Sequence, residues 1–361
     1  MERFGFVGLP NAGKSSLFNA LAGGGALAAP YAFATTDPNV GVARVPDTRL
    51  ERLAEMSKSR NVVHATTQFV DIGGLVEGAS QGEGLGNKFL AGIREVDAVV
   101  FVLRAFPDPD VPGPSDPLEH LRVVEIELTL ADLEAVESRI GRRRKALKAE
   151  PRNGELMIEV KALDAALEAL SEGIPLFRSS IDAELREGLR THFLLTNKPV
   201  MAVVNIGEDQ LGEAESIADR VRAELPGASD VLSMSVQLEA EAAQLEADER
   251  TELLEGLGLG EGALPRFVRG AYHTLGLRTY LTTGEKESRA WTFRAGSTAP
   301  QCAGRIHTDF ERGFIRAEVI RWDELLDIGS WSKAREAGKM RLEGKDYLVE
   351  DGDVIEFRFN V

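Results

Sequence analysis

Short apolar runs recur along the first three quarters of the chain, and segments with helical spacing separate them. The runs are "RFGFVGL", "TTQFVDIGG", "VDAVVFVLRAF" and "KPVMAVVNIGE", and they are rich in β-branched and aromatic residues. Such runs are typical of strands that are buried on both faces of a parallel sheet. Segments such as "KSSLFNALAG" lie between them and have the period of a helix. The pattern therefore predicts an α/β fold with a mostly parallel sheet.

Residues 117–193 have a different pattern, with long amphipathic helices and no strand. The segment "LRVVEIELTLADLEAVESRIGRRRKALKAE" is followed by a break at "PRNG" and then by "ELMIEVKALDAALEALSEG". Two long helices with a short polar break predict an antiparallel helical hairpin, or coiled coil, inserted into the sheet domain. We therefore predict that residues 1–116 and 194–277 form one domain around this insertion.

The last part of the chain, residues 278–361, alternates apolar and polar positions again. Gly-containing turns separate its segments, which include "TYLTTGEKESRAWTFRAG" and "YLVEDGDVIEFRFNV", and one central stretch has helical spacing. This combination predicts a small α+β domain.

Composition and charge restrict the class of protein. With 361 residues, 43% of them hydrophobic, the chain can form two or three domains with hydrophobic cores. Its formal net charge of −16 repels polyanions, so any contact with nucleic acid must be local. The single cysteine, Cys302, excludes a disulfide framework and fits a reducing cytosol, as a packing residue or a redox-sensing thiol. We also expect no signal peptide, no membrane span and a cytoplasmic protein.

A phosphate-binding loop is the strongest motif. Residues 8–15, "GLPNAGKS", match G-x-x-x-x-G-K-[ST] between a predicted strand and a predicted helix, which is the context of a Walker A loop. In such a loop Gly13 leaves room for phosphate and Lys14 reaches the β and γ phosphates, while Ser15 binds Mg²⁺. The motif predicts a Mg²⁺-dependent nucleoside triphosphate site.

A second motif, Asp-x-x-Gly, follows in "FVDIGGLV". Asp71 is predicted to hold Mg²⁺ through water, and the Gly74 amide to bind the γ-phosphate. Thr35 and Thr36 in the preceding loop are candidates to close over both groups. Leu75 stands where many GTPases carry a water-orienting Gln, and its apolar side chain cannot orient water by hydrogen bonding. We therefore expect slow intrinsic hydrolysis, or help from loop backbone, a monovalent cation or a partner's residue.

The strand "MAVVNIGED" stands where a GTPase carries the Asn-Lys-x-Asp motif that binds guanine. Glu208 replaces the short Asp that accepts both donors of guanine, and Ile206 replaces the Lys. Asn205 can pair with the N7 and N6 atoms of adenine, as Asn does in DNA grooves. These residues favour ATP over GTP. Two alternatives stay open: a polar turn without a role in binding, and a shifted register in which Asp209 binds guanine.

Together these segments resemble the YchF or Obg-like ATPase family of P-loop proteins. The resemblance also includes "ATTDPNVGVARVPD", "AGSTAPQCAGRIHTDFERGFIRAEVI" and "EAGKMRLEGKDYLVEDGDVIEFRFNV". It implies an Obg-type G domain, the coiled-coil insertion, and a C-terminal TGS domain with a ubiquitin-like β-grasp fold at residues 278–361. It also implies a monomer that hydrolyses ATP more readily than GTP, binds ribosomes and their large subunit, and acts in translation and stress responses.

The resemblance also assigns site residues by position in this sequence. It implies that the nucleotide loop is Asn11, Ala12, Gly13, Lys14, Ser15 and Ser16. The implied Mg²⁺ ligands are Ser15 and Thr35, and the implied base contacts are Asn205, Ile206 and Glu208. This chain departs from many relatives at Ala12, at Ser16, in "DIGG" and in "SVQLEAE", where Ser235 still offers backbone donors to the base pocket. No phosphate ligand is lost by these departures.

Further polar features allow two interpretations each. The basic run "RIGRRRKALK", residues 139–148, is either a solvated helix face or a tip that binds ribosomal RNA phosphates. His307 has no nucleophile or metal partner nearby in sequence, which favours a structural or partner-binding role. For the whole protein, an ATP-hydrolysing switch and a nucleotide-gated binding module with incidental hydrolysis both fit the sequence.

Overall fold

The computed structural model describes residues 2–22, 39–73 and 85–360 of the chain. It divides into two compact units, Met1–Val42 with Gln68–Phe267, and Ala43–Thr67 with Val268–Val361. In the described ranges, every helix is too short or too polar to cross a membrane.

The described elements are numbered in chain order. The strands are β1 Arg3–Val7, β2 Val40–Arg44, β3 Asn61–Val63, β4 Thr66–Asp71, β5 Ala98–Arg104, β6 Val200–Asn205, β7 Val231–Met234, β8 Leu277–Thr282, β9 Glu287–Arg294, β10 Phe314–Arg321, β11 Arg341–Glu343 and β12 Asp353–Phe359. The helices are α1 Lys14–Ala22, α2 Thr48–Ser57, α3 Leu85–Glu95, α4 Pro117–Ala149, α5 Gly154–Ser171, α6 Ala183–Gly188, α7 Ala214–Glu224, α8 Val236–Ala242, α9 Ala247–Gly256, α10 Ala263–Thr274, α11 Ala299–Ile306, α12 Thr308–Arg312, α13 Trp322–Ile328 and α14 Trp331–Glu336. Short 3₁₀ helices are Leu176–Arg178, Arg190–His192 and Glu208–Glu213.

The first unit is built on a sheet with strand order β2-β4-β1-β5-β6-β7. Strand β1 pairs in parallel with β4 and β5, β5 with β6, and β6 with β7. Every residue of β5 and β6 is buried, which explains their continuous apolar runs. The predicted α/β fold with a mostly parallel sheet is confirmed. Because parallel strands end at the same sheet edge, the loops after β1, β4, β5 and β6 lie at that edge.

The two predicted long helices form a hairpin in the first unit. Helix α4 begins after Asp116, whose carboxylate accepts a hydrogen bond from the Leu118 amide, and α5 begins after the similar cap Asn153. The hairpin is fixed to the segment before β6 by Asp132, which is 1% exposed. Its carboxylate accepts bonds from the amides of Leu195 at 2.8 Å and Thr196 at 2.7 Å, and from the Thr196 hydroxyl at 2.7 Å.

The second unit is built on a mixed sheet with strand order β11-β10-β12-β8-β9-β3. Strands β8 and β9 form an antiparallel pair, β12 is parallel to β8, and β10 is antiparallel to β12. Helix α11 packs on this sheet through Ala299, Cys302 and Ala303, beside Tyr280 and Phe357. A hairpin, a crossing helix and two parallel central strands are the arrangement of a β-grasp fold.

Residues 43–67 are grouped with this C-terminal sheet, which differs from the predicted domain boundaries. Strand β3 pairs in parallel with β9. Arg49 donates a hydrogen bond to Asp351 at 2.7 Å, and the Ser59 hydroxyl donates to the Gly284 carbonyl at 2.7 Å. These partners are more than 200 positions apart in sequence. A strand of three residues that pairs over such a distance leaves no local pattern, so the sequence did not indicate it.

Candidate functional site: a P-loop nucleotide cleft

The loop between β1 and α1 has the conformation that its glycine requires. Gly13 has φ +99°, and a side chain there would meet the Asn205 amide as well as being strained. Lys14 begins α1 and is only 6% exposed. Its Nζ donates to the Leu9 carbonyl of the same loop at 2.8 Å. Burial lowers the pKa of Lys14 to about 8, although the nearby Asp71 carboxylate opposes this shift.

Two of the residues predicted to hold Mg²⁺, Ser15 and Asp71, are hydrogen-bonded to each other. The Ser15 hydroxyl, in the first turn of α1, donates to Asp71 Oδ2 at 2.6 Å. Asp71 ends β4, and its Oδ1 accepts a bond from the Gly73 amide at 3.2 Å. A hydroxyl beside a carboxylate is a hard oxygen donor set that suits Mg²⁺. The chemistry of the residues present therefore fits this ion.

Four residues named in the sequence analysis, Thr35, Thr36, Gly74 and Leu75, lie outside the described residues. Among the residues that are described, no group of three or more His, Cys, Asp or Glu side chains could hold a metal ion. The candidate Mg²⁺ site therefore consists of Ser15 and Asp71 in the described part of the chain.

At the other end of the site, the Asn205 amide is bonded to backbone on both sides. Asn205 ends β6 and is 5% exposed. Its Nδ2 donates to the Ala12 carbonyl at 3.0 Å, and its Oδ1 accepts from the Val236 amide at 3.1 Å. Asn205 thus joins the P-loop to the first residue of α8. These bonds use one of the two donors and one of the two acceptor positions of its amide, so the pairing with the purine edge stays a prediction.

The other predicted base contacts differ in exposure. Ile206 is 2% exposed and packs in the hydrophobic core, so it presents little of the apolar face that we expected. Glu208 is exposed at the start of a 3₁₀ helix. Ser235 is 3% exposed and caps α8, because its hydroxyl accepts a bond from the Leu238 amide at 3.3 Å.

One cleft brings most of the predicted residues together. It has a volume of about 1070 Å³, close to the upper limit for small-molecule and cofactor sites. The predicted residues that line it are Asn11, Gly13, Lys14, Ser15, Ser16, Asn205, Ile206, Glu208 and Ser235. Ala12 is fully buried and supports the cleft through its carbonyl. We call this space the nucleotide cleft.

The loop after β5 forms a wall of the nucleotide cleft that the sequence analysis missed. Phe106, Asp108, Val111 and Pro112 from this loop line the cleft. The side chain of Phe106 is partly exposed and supplies an apolar ring.

Arg104, the last residue of β5, holds this wall in place although it is 2% exposed. Its guanidinium donates to the carbonyls of Phe106 at 3.0 Å, Val111 at 3.0 Å, Pro112 at 3.3 Å and Asp108 at 3.3 Å. It also lies 4.6 Å from the centre of the Phe106 ring. The visible sequence signal was an arginine that closes the apolar run "VVFVLRAF".

Two other candidate residues have structural environments. Cys302 is completely buried, and burial raises the pKa of its thiol to about 12, which favours the packing interpretation over a redox sensor. The His307 side chain is exposed and caps α12, because its Nδ1 accepts a bond from the Asp309 amide at 3.2 Å. Neither residue supplies chemistry to the nucleotide cleft.

The fold and the cleft define a P-loop nucleoside triphosphatase, and comparisons with known proteins narrow the class. A family model described as "50S ribosome-binding GTPase" matches residues 3–142. The model of the YchF-GTPase C-terminal region, described as a protein of unknown function, matches residues 277–360.

Curated relatives cover nearly the whole chain. The "Ribosome-binding ATPase YchF" of Bacillus subtilis (strain 168) is 46% identical, with 99% of both chains covered. The protein of the same name from Haemophilus ducreyi is 47% identical, also with 99% of both covered. The chain belongs to the YchF family.

Solved structures agree with this assignment. The Schizosaccharomyces pombe YchF GTPase is 34% identical, with a TM-score of 0.87 over 99% of this chain and 97% of that one. A GTP binding protein from Pyrococcus horikoshii has a TM-score of 0.62 at 19% identity, which supports the fold alone. The family resemblance stated from the sequence is confirmed.

Proposed function

We propose that the protein is a Mg²⁺-dependent, ATP-hydrolysing switch that binds ribosomes. The observation that carries this proposal is the nucleotide cleft, in which the Walker loop, the end of β6 and the loop after β5 meet around a space of about 1070 Å³. The curated names of relatives that are 46% and 47% identical over nearly the full length support both the ATPase activity and the ribosome as partner.

At the phosphate end, Lys14 exchanges its bond to the Leu9 carbonyl for the β and γ phosphates. Ser15 would hold Mg²⁺ directly and Asp71 through water, with Thr35 as the further predicted ligand, and the Gly74 amide would bind the γ-phosphate. The ion supplies charge neutralisation for the transferred phosphoryl group when it is bound. The protein thus positions the phosphates for in-line attack by water, which is where most of the rate enhancement in this chemistry arises.

The attacking water has no side-chain partner at Leu75, so the intrinsic rate is slow. The remaining candidates are loop backbone, a monovalent cation and a residue of the partner. A trigger supplied by the ribosome fits a switch, since hydrolysis then follows docking.

At the base end, the proposed preference is for ATP, with weaker binding of GTP. Phe106 offers the ring face of the base an apolar surface, and Arg104 holds it there. Glu208 is exposed and long enough to turn away from the ring acceptor of adenine. Asn205 acts here by placing the P-loop and α8.

The proposed partner is the large ribosomal subunit with its RNA, bound through the helical hairpin and the C-terminal TGS domain. The basic run in the last turns of α4 supports the hairpin as a contact with phosphates. We place the protein in the cytoplasm as a monomer, acting in translation-linked or stress regulation.

A second candidate is a nucleotide-gated binding module with incidental hydrolysis, or a true GTPase. The apolar Leu75 favours the first of these alternatives. Measuring the rate of phosphate release with and without ribosomes distinguishes the proposed switch from the gated module. A switch requires a rate that depends on the partner, and a gated module does not. Titrations of ATP and GTP against the free protein test the base preference, and tighter GTP binding would contradict it.

A further inference from the structure

A cleft lined by arginines lies on the helical hairpin, away from the residues that line the nucleotide cleft. Arg139, Arg142 and Arg143 of α4 line it, together with Ala146 and the segment Thr191–His192, and it has a volume of about 570 Å³. Positions i, i+3 and i+4 share one face of a helix, so the three guanidinium groups point to the same side. We call this space the arginine cleft.

Its positive charge is only partly neutralised. Arg139 donates to the His192 carbonyl at 2.6 Å, and Arg143 pairs with Glu159 at 2.9 Å. The Arg142 guanidinium has no ion pair or hydrogen bond with any described residue, and the side chain is exposed. Burial lowers the pKa of His192, although the Glu159 carboxylate, 3.0 Å from its Nε2, opposes this. Three arginines therefore face one carboxylate, in a chain whose formal net charge is −16.

An exposed aromatic ring in a strained backbone position comes directly after this segment. Phe193 is 61% exposed. Its φ of +53° is in the left-handed region, which is rare for a bulky residue. The neighbouring Leu194 is 2% exposed, so the core fixes the turn while the ring faces solvent. Strain of this kind is retained where the surroundings impose it, and it is concentrated at functional sites.

We propose that the arginine cleft and Phe193 bind single-stranded RNA, with a phosphate at Arg142 and an unpaired base stacked on Phe193. Arginine forks match phosphate oxygens, and a base that stacks on a protein ring must be free of its own helix. This inference rests on the proposed ribosome binding and specifies the RNA chemistry. It also replaces part of the predicted basic tip, because Arg144 pairs with Asp164 at 2.6 Å and does not line the cleft.

The first test measures the affinity of the full chain for a fluorescently labelled 12-nucleotide oligouridine by anisotropy at several salt concentrations. Arg142→Gln should weaken binding about tenfold and reduce the slope of log K against log salt by about 0.7, the value for one phosphate contact on a single strand. The matched control is Arg122→Gln, which removes the same charge from the same helix about 30 Å away. Equal losses in the two variants would overturn the site.

The second test separates stacking from stability at Phe193. Phe193→Gly removes both the ring and the backbone strain, so it should raise the melting temperature while it weakens oligouridine binding about tenfold. Phe193→Trp keeps a stacking surface and should retain the affinity. A purely structural Phe193 would instead give a lower melting temperature and unchanged RNA binding in the glycine variant.

Two further measurements distinguish this inference from the proposed function. Duplex RNA of the same length should bind more weakly than the single strand, and equal binding would overturn recognition of an unpaired base. Sedimentation with ribosomes tests the partner itself. If the wild type sediments with ribosomes but does not bind oligouridine, the RNA site is wrong and the ribosome proposal stands. If it binds oligouridine through Arg142 and Phe193 but does not sediment, the ribosome proposal is wrong and the RNA site stands.

Discussion

The phosphate end and the base end of the nucleotide cleft are built in different ways. At the phosphate end, Lys14 and Ser15 are neighbours in sequence, and their bonding partners are a carbonyl of the same loop and the carboxylate that ends the adjacent strand. At the base end, Asn205 is held by backbone groups nearly 200 residues before it and about 30 residues after it. The Walker part of the phosphate end is therefore local in sequence and is joined by Asp71 from the adjacent strand, whereas the base end depends on contacts between more distant segments.

The two ends are nevertheless joined by Asn205. Its donor fixes the carbonyl of Ala12, one residue before Gly13, and its acceptor fixes the first amide of α8. A residue that belongs to the base motif by sequence thus supports the phosphate loop. Because Asn205 bonds to both ends, we distinguish two kinds of variant. Some variants should weaken binding in the whole cleft, and others should change only the preference between ATP and GTP.

Lys14→Ala should have the largest effect. It removes the cation of the phosphate end, and we expect the ATPase rate to fall at least about 100-fold, because positioning and charge stabilisation supply most of the catalysis in phosphoryl transfer. Steady-state phosphate release measures this. The melting temperature without nucleotide should change little, since within the described ranges the Lys14 side chain bonds to the Leu9 carbonyl of its own loop. A variant with the full rate would show that catalysis does not use this site.

Asn205→Ala should have the next largest effect. It tests directly whether Asn205 supports both the P-loop and α8. It leaves the Ala12 carbonyl and the Val236 amide without their partner, and an unpaired buried polar group costs about 1–3 kcal/mol. We expect the affinities for ATP and GTP to fall together, by about tenfold or more, in equilibrium titrations.

The control is Asn205→Asp, which keeps an acceptor for the Val236 amide and loses the donor to Ala12. It should bind both nucleotides at least as weakly as the alanine variant, because a buried carboxylate oxygen then faces the Ala12 carbonyl. A selective loss of ATP binding in either variant would instead support the predicted role of Asn205 in pairing with adenine.

These differences show what the sequence could and could not predict. The parallel strands, the Walker loop and the long helices each have a local pattern, and each is present where it was expected. The hydrogen bonds of Asn205 to the Ala12 carbonyl and the Val236 amide were not predictable, because the same amide suits a purine edge equally well. The packing of Ile206 in the core depends on neighbours from other strands, which the apolar run alone does not identify.

The wall of the cleft formed by the loop after β5 is a similar case. An arginine at the end of a buried strand is visible in the sequence, but its partners are four carbonyls of the following loop. Every residue type has a backbone carbonyl group, so no sequence motif indicates such a contact. The same reasoning applies to β3, whose ladder with β9 is formed by backbone groups and is supplemented by a side-chain bond from Asn61 to Glu287 at 3.0 Å.

Arg104→Lys should have a moderate effect that is confined to the base end. A lysine keeps the charge but cannot reach all four carbonyls or stack on Phe106 with a planar group. We expect KM for ATP to rise about fivefold to tenfold with kcat changed less than about twofold, since the proposed role of the loop is to contact the base, which does not change during phosphoryl transfer. A matched control is Arg94→Lys, a charge-conserving change in α3 outside the residues that line the cleft. An equal fall in kcat and kcat/KM for Arg104→Lys would place this residue at the phosphate end instead.

Glu208→Asp should have the smallest effect and the most selective one. The change removes one methylene and restores the short carboxylate that accepts both donors of guanine, while adenine offers one donor and one acceptor there. Because Glu208 is exposed, the gain is that of a single solvent-accessible hydrogen bond, about 1 kcal/mol, or about fivefold in the ratio of GTP to ATP affinity. Paired titrations of both nucleotides measure this ratio, and Asp209→Glu, one position further along, is the matched control. A shift of the ratio in the control but not in Glu208→Asp would mean that the base is read in the shifted register, by Asp209.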